Sequence, residues 1–182
     1  VCAFIHFKRA FDSVNRNNLW SKLYTLGLNG KILRVIRDMY SKVKSCVRKM
    51  ENYSDFFDNA IGLLQGEIMS PKIFELFIED MELSLLDPTQ NGLEFDEIVL
   101  LLIFFADDLI IFGQTPLELQ HNLNKLHEYC CHWDLEVNCD KTKIVVFRKR
   151  GPLCAGEVWH YGNAAVDTVN DFNYLGTVFN YT

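Results

Sequence analysis

Two adjacent aspartates interrupt the most apolar stretch of the sequence, and this feature constrains the fold more than any other. The stretch is Ile98–Phe112, and Asp107 and Asp108 break it. A membrane-spanning helix needs about 18 apolar residues without such charges, so we predict two β-strands with the acids in the turn of a hairpin. Buried charges must be paired or bound to a metal, and carboxylate oxygens suit Mg²⁺. An Asp-rich turn without a ligand fits the dipeptide as well.

The rest of the chain alternates irregularly between helical and strand patterns. This mixture predicts an α+β fold with a mostly antiparallel sheet packed on helices. A Thr-Pro-Leu-Glu sequence at 115–118 is typical of a capping box that opens a helix. The predicted helices are two within 15–41, separated at 27–30, one from Ser70 to near Asp87-Pro88, and one at 115–133. The predicted strands are 1–7, 98–105, 109–112, 143–147, 157–161, 164–168 and 172–179, with a turn at Gly162-Asn163 and a loop at 148–152.

Composition limits the class of protein. The chain has 182 residues, of which 49% are hydrophobic, so it can bury the core of one globular domain. Its six cysteines show no CxxC pair, which favours reduced thiols and an intracellular location in the nucleus or cytoplasm. We expect no membrane segment. The chain begins with Val1, and we expect it to be part of a longer polypeptide.

Charge is unevenly distributed along the sequence. The formal net charge of -6 argues against a self-sufficient nucleic-acid-binding protein. Segment 31–49, however, carries seven lysines and arginines. Such a segment is typical of a solvated helix face, and a stripe facing nucleic-acid phosphates is the alternative.

Five short motifs follow one another along almost the whole chain. They are Phe4–Val14, then Gly62–Gly66 with Ser70-Pro71, Phe105–Asp108, Val137-Asn138 with Lys141–Lys143, and Phe172–Gly176. In this order they resemble motifs A to E of the reverse transcriptases of LINE-type, non-LTR retrotransposons. The resemblance implies the polymerase palm fold over residues 1–182, with a primer-grip-like β-hairpin in 152–182.

The resemblance also implies a reaction. Enzymes of this family are RNA-directed DNA polymerases, which transfer nucleotides from dNTPs to a primer 3′-hydroxyl by a two-metal mechanism. The implied cofactors are two Mg²⁺ ions, with Mn²⁺ as a possible substitute, and the implied partners are an RNA template and a DNA primer. The family's fingers and thumb are expected before Val1 and after Thr182, and their basic surfaces would account for the acidic charge of this segment.

Specific residues inherit roles through the matching motifs. Asp107 and Asp108 correspond to the metal-binding aspartates, and Lys141 to the lysine that protonates the pyrophosphate leaving group. The implied nucleotide-binding residues are Phe11, Gln65, Gly66 and Ser70. The implied primer-grip residues are Tyr174, Leu175 and Gly176.

The sequence departs from the family at one central position. The family has a metal-binding aspartate in motif A where this chain has His6. Imidazole suits Zn²⁺ or Cu²⁺ better than Mg²⁺, and a neutral ring removes a negative charge from the site. Asp12, six residues later, is too far along the chain to replace it. We therefore expect impaired synthesis by this copy.

Two alternatives remain open from the sequence. The first is a non-catalytic remnant, or a palm co-opted as a scaffold that binds nucleic acid or protein. The second is a relative such as a group II intron maturase or a retron polymerase, which share the palm and the two-aspartate hairpin. The amino-acid sequences of the first and last motifs favour the LINE-type element.

Overall fold

The computed structural model describes residues 1–86, 92–96, 98–147 and 157–180. It divides into two compact units, of which the first comprises Val1–Ala10 and Glu79–Thr182 and the second comprises Phe11–Ile78. The elements are β1 Cys2–His6, α1 Ala10–Ser13, α2 Arg16–Thr25, α3 Gly30–Ser41, β2 Lys44–Ser45, β3 Arg48–Lys49, β4 Asn52–Tyr53, β5 Phe57–Asp58, α4 Ser70–Ile78, α5 Met81–Leu85, β6 Leu93–Phe95, β7 Ile98–Leu100, β8 Leu102–Phe105, β9 Asp108–Phe112, α6 Pro116–Trp133, β10 Lys143–Val145, β11 Trp159–Tyr161, β12 Ala164–Val169, β13 Asp171–Tyr174 and β14 Thr177–Asn180.

A six-stranded sheet forms the centre of the first unit. Its strand order is β11-β12-β10-β1-β9-β8, and only the β10–β12 pair is parallel. Strand β1 lies between β9 and β10, and its residues Cys2 to Ile5 are buried. The run is apolar on both faces because a central strand is covered on both sides. The predicted α+β fold with a mostly antiparallel sheet is confirmed.

Helix α6 packs against this sheet in the way that its local sequence predicts. The Thr115 side chain accepts a hydrogen bond from the Glu118 backbone, and the Glu118 side chain accepts one in return from the Thr115 N–H, which completes the capping box. Its buried leucines are Leu119, Leu123 and Leu126. The indole N–H of Trp159 in β11 donates to the Pro116 carbonyl at 3.1 Å, which ties the helix to the edge of the sheet.

The strand predicted at 98–105 is in fact two strands. β7 pairs with β6, whereas β8 pairs with β9, and the chain changes partner at Leu101. Gly92 lies so close to this point that a Cβ there would overlap the Leu100 carbonyl oxygen. An apolar run reports burial and not direction, so the pattern alone could not locate this break.

The predicted C-terminal β-hairpin is present, but the strand predicted within it needs a correction. The single strand predicted at 172–179 is the β13–β14 hairpin, with Tyr174 opposite Thr177. Leu175 (φ 50°) and Gly176 (φ 81°) form its two-residue turn. Two successive positive φ values are typical of the turns that join hairpin strands. The Gly162-Asn163 turn between β11 and β12 is as predicted, whereas the predicted loop at 148–152 lies outside the described residues.

The second unit contains α1 to α4 and two short β-ribbons. Helices α2 and α3 separate at 26–29 as predicted, and the Asn15 side chain caps α2. The ribbons, in which β2 pairs with β5 and β3 with β4, lie in a stretch whose strands the sequence did not reveal.

The helix that begins at Ser70 ends at Ile78, and α5 is a separate helix of the first unit. Its predicted end at Asp87-Pro88 lies outside the described residues. No helix among the described residues has the length and hydropathy to cross a membrane.

Candidate active site

The ends of β1 and β9 bring His6 and Asp108 together in the first unit. The two residues are direct partners in the antiparallel register, and His6 Nδ1 lies 3.3 Å from Asp108 Oδ1. Their side chains are 32% and 35% exposed, so solvent reaches the pair. The turn consists of Ala106, at φ 56°, and Asp107. The sequence placed both acids in this turn, but Asp108 is the first residue of β9.

The backbone of His6 is held by the turn that precedes β10. The His6 N–H donates to the Thr142 hydroxyl at 3.2 Å, and the His6 carbonyl accepts from the Asn138 N–H at 2.8 Å. Thr142 is completely buried. The Lys141 N–H donates to the Asn138 carbonyl and side-chain oxygens at 3.2 Å. The predicted general acid is therefore carried on the turn that holds position 6.

A pocket of about 380 Å³ opens beside this turn. Predicted site residues from four segments line it, namely His6, Asp108, Lys141, Tyr174 and Leu175. Asp107 and Gly176 are not among its lining residues. The pocket contains a second lysine that the sequence did not single out, Lys143, whose ammonium binds Asp167 at 2.6 Å. The exposed Lys141 ammonium has no such partner among the described residues.

Tyr174 is a buried aromatic residue of this pocket. Its ring packs against Phe4 and Phe179 with centroid distances of 5.6 and 6.4 Å. Its hydroxyl is buried and has no hydrogen-bond partner among the described residues. Burial, and secondarily the charge of Asp108, raises the pKa of the Tyr174 hydroxyl. Tyr174, a predicted primer-grip residue, thus carries a neutral hydroxyl whose pKa is affected by the charge of Asp108.

The four predicted nucleotide-binding residues all belong to the second unit. Gln65 is exposed and its amide donates to Asp12 Oδ1 at 3.0 Å. The half-buried Phe11 ring packs on Phe74 at 5.1 Å. Gly66 is exposed, and its φ of 83° favours glycine.

Ser70 occupies a different environment from the one predicted. Its hydroxyl is buried and lies 3.1 Å from both the Tyr40 hydroxyl and Glu67 Oε2. The Tyr40 hydroxyl also donates to Glu67 at 3.2 Å, and burial is the main cause of the raised pKa of Tyr40. The Ser70 hydroxyl therefore hydrogen-bonds next to the loop that carries Gln65 and Gly66, and its role in nucleotide binding stays a prediction. Sequence reasoning missed Tyr40 because its partners lie about 30 residues away.

The donor set at the β1–β9 pair does not fit a centre for two magnesium ions. No group of three or more His, Cys, Asp or Glu side chains that could hold a metal occurs among the described residues. One of the two groups in contact is an imidazole, and Mg²⁺ prefers oxygen ligands. The imidazole Nδ1 also lies 3.3 Å from Asp108 Oδ1, an oxygen that a cation would need as a ligand.

Comparison with known proteins places these observations in context. A family model described as "Reverse transcriptase (RNA-dependent DNA polymerase)" matches residues 1–179. The Pol polyprotein of the type-2 retrotransposable element R2DM of Drosophila melanogaster is 23% identical over 99% of this chain and 18% of its own length. The RNA-directed DNA polymerase of the mobile element jockey of Drosophila funebris is 24% identical over 96% of this chain and 19% of its own length. This chain thus spans less than a fifth of either relative.

Among solved structures, apo telomerase from Candida tropicalis truncated from its C-terminal domain superposes with a TM-score of 0.65. The match covers 98% of this chain and 33% of that one at 19% identity. A second structure, of apo telomerase from the same organism, gives the same TM-score at 15% identity, over 99% of this chain and 31% of its own. At these identities the likeness establishes the fold.

Proposed function

Since the chain belongs to the reverse transcriptase family, we propose that it is the palm of a non-LTR retrotransposon RNA-directed DNA polymerase whose metal site is impaired in this copy. The reaction is nucleotidyl transfer from a dNTP to the 3′-hydroxyl of a DNA primer on an RNA template. The observation that carries the proposal is the contact between His6 and Asp108 at the β1–β9 pair. This position is where the family has an aspartate.

The substitution acts on both charge and ligand geometry. A carboxylate at position 6 would add an anionic oxygen ligand next to Asp108, whereas the imidazole removes that charge and occupies Asp108 Oδ1 as a hydrogen-bond partner. Two dications are poorly stabilised without these oxygens. Synthesis by this copy should therefore be reduced even with the rest of the polymerase present.

The other residues of the pocket support an ancestral polymerase site. Lys141 lines this pocket, and its ammonium has no partner among the described residues, so it would be available to the negative charge of a leaving pyrophosphate. The β13–β14 hairpin brings Tyr174 and Leu175 to the same pocket, where they would steady the primer end. Phe11, Gln65 and Gly66 are proposed to contact the nucleotide, as the matching motifs imply.

Calorimetric titration of Mg²⁺ and of Mn²⁺ into the whole chain tests the proposal. We expect weak binding by the chain as it is, and at least about tenfold tighter binding after His6→Asp, because a carboxylate replaces a poor Mg²⁺ ligand. Adding Asp107→Ala to His6→Asp should abolish the gain. The matched control is His160→Asp, which introduces the same carboxylate at an exposed position in β11. It should leave affinity unchanged.

A second candidate function follows from the same contact. A non-catalytic palm scaffold would retain the fold while the His6–Asp108 hydrogen bond stabilises the end of β1. If His6→Asp leaves metal affinity unchanged while circular dichroism shows an intact fold, the impaired-polymerase proposal fails and the scaffold becomes the better explanation.

A further inference from the structure

The second unit contains a positively charged pocket that has no part in the site described above. It has a volume of about 420 Å³ and lies at helices α2 and α3. Its lining includes Arg16, Trp20, Arg34, Arg37, Asp38 and Tyr40. Three arginines and one acid around one pocket constitute a net positive environment.

Arg16 is the buried part of this pocket. Only 8% of the residue is exposed, and its guanidinium lies 5.1 Å from the centre of the Tyr40 ring. Nε donates to the Gly62 carbonyl at 2.8 Å, and Nη1 donates to the carbonyls of Tyr40 and Asn59. These contacts are all to neutral carbonyls, and no carboxylate of the described residues pairs with the charge.

One nitrogen of this guanidinium is left without a partner. Nη2 of Arg16 is buried and makes no hydrogen bond within the part of the chain that the structure describes. Burial lowers the pKa of Arg16, yet a guanidinium stays protonated in proteins. A buried donor without an acceptor is costly, and the uncompensated charge of this guanidinium favours an anion in the pocket.

Arg34 and Arg37 supply two further guanidiniums from helix α3. Residues three apart lie on the same helix face, and both side chains are exposed. Nε of Arg34 makes a long hydrogen bond of 3.4 Å to the Gly30 carbonyl. Neither arginine forms an ion pair with a described residue, so both forks are available to a ligand. Planar guanidinium forks match the oxygens of a phosphate group.

Trp20 indicates which phosphate compound fits. Its half-buried ring lies edge-on to Tyr40, with centroids 5.8 Å apart, at the side of the pocket. An aromatic face beside phosphate-binding arginines is typical of surfaces that stack the bases of single strands. The second unit also has ten basic and seven acidic side chains, whereas the rest of the chain has eight and seventeen. This asymmetry favours a polyanion.

We propose that this pocket binds a backbone phosphate of single-stranded RNA, with a neighbouring base against Trp20. The forks of Arg34 and Arg37 hold the phosphate oxygens, and the charge of the buried Arg16 adds to the positive potential of the pocket. The interaction needs no metal and involves none of the predicted metal-binding or primer-grip residues. It therefore adds a nucleic-acid contact that is independent of nucleotidyl transfer.

Fluorescence anisotropy with the whole chain and a short, unstructured, fluorescein-labelled RNA tests the proposal. The measurement is made in EDTA and without dNTPs, so its outcome does not depend on the metal site. We expect the Arg34→Gln/Arg37→Gln double variant to bind at least about tenfold more weakly, because it cannot form two charge-assisted hydrogen bonds to the phosphate. The slope of log K against log salt should also become shallower, by roughly 0.7 for each phosphate that is no longer neutralised.

A matched double variant distinguishes binding in the pocket from attraction of RNA to positive charge in general. Lys31→Gln/Lys42→Gln removes the same two charges from the two ends of the α3 region, and neither lysine lines the pocket. It should weaken binding by less than about threefold, as expected for exposed charges that are screened by salt. Equal weakening in the two variants would overturn the proposal. Both changes are at exposed positions, and circular dichroism checks that the fold is retained.

Two further measurements identify the ligand. Bound RNA should quench tryptophan fluorescence, and Trp20→Phe should remove this quenching while Trp133 and Trp159 remain as internal references. Inorganic phosphate should compete only weakly with RNA, because it cannot stack on the ring. Quenching that persists in Trp20→Phe, or binding of vesicles with anionic phospholipid in preference to RNA, would overturn the assignment to nucleic acid.

Discussion

The backbone N–H of position 6 is held by a single hydroxyl group. The His6 N–H donates to Thr142 Oγ1, whereas the neighbouring Phe4 lies in the regular register between β1 and β10. Thr142 is fully buried, so water cannot replace the acceptor. The Thr142 hydroxyl thus accepts the hydrogen bond that a backbone carbonyl would accept in a regular sheet.

Replacement of Thr142 tests this role at the residue scale. Thr142→Val keeps the shape and removes the acceptor, so the free energy of unfolding should fall by about 1–3 kcal/mol. Amide exchange at His6 should accelerate in the same variant. Thr142→Ser retains the hydroxyl and should keep His6 exchange slow. Urea denaturation and hydrogen-exchange NMR measure the two effects, and equally fast exchange in both variants would contradict the argument.

The sequence could locate position 6 but not what holds it. A motif carries residue identity and order, so it predicted that His6 and Asp107-Asp108 belong to one site, and His6 and Asp108 are register partners in the sheet. The Thr142 contact joins residues 136 positions apart through a side chain, and no local pattern reports such a pair. The same limitation hid the Tyr40–Glu67–Ser70 hydrogen bonds.

At the scale of elements, local signals decided which predictions succeeded. Helix α6 was predicted closely because its capping box lies within four residues of its start. The division of 98–105 into β7 and β8 depends on which strand each half pairs with. Partner choice is a tertiary property, so the apolar pattern is the same for one strand or two.

The β13–β14 turn stores strain that a substitution should relieve. Leu175 has a φ of 50° and is 54% exposed. A bulky residue is strained in this conformation, and this exposed side chain has no compensating contact in the core. Leu175→Asn creates the Asn-Gly pair that this kind of turn favours. We expect a gain in the free energy of unfolding of about 0.5–1 kcal/mol.

The neighbouring residue provides the opposite control. Gly176 has a φ of 81° and open space where a Cβ would lie, so Gly176→Ala tests conformation and not steric overlap. It should lower the free energy of unfolding by about 1 kcal/mol or more. Thermal unfolding followed by circular dichroism compares the two variants. A destabilised Leu175→Asn would mean that the exposed leucine makes a contact of greater value than the strain.

At the scale of the whole molecule, the order of the strands along the chain differs from their order in the sheet. The first unit contains both residues 1–10 and everything from Glu79 onwards, with the second unit between them in sequence. Strand β1 comes first in the chain but lies third from the β8 edge of the sheet, between β9 and β10. The α+β class could be predicted from the mixture of patterns. The division into two units could not, because it depends on contacts more than 70 residues apart.

Removal of β1 should therefore be far more damaging than its position at the terminus suggests. Loss of Val1–Phe7 deletes the strand that joins β9 to β10, and it removes five residues that are at most 3% exposed, namely Cys2, Ala3, Phe4, Ile5 and Phe7. Burial of a large apolar side chain contributes about 1.5–3 kcal/mol, and total stability is typically about 5–15 kcal/mol. We expect the first unit to lose its cooperative unfolding transition.

Removal of the other terminal strand is the matched comparison. A chain that ends at Gly176 loses β14, which pairs only with β13 in a separate two-stranded sheet. The absence of Phe179 from beside Phe4, where the ring centroids are 5.5 Å apart, should lower stability but leave the six-stranded sheet intact. Hydrogen exchange should then remain slow in β9 and β10, and a synthetic peptide of residues 1–10 should restore that protection to the chain that lacks β1. If the chain without β1 keeps slow exchange in both strands unaided, the sheet does not depend on its central strand, and the hydrogen bonds that hold position 6 contribute less to the fold than the topology implies.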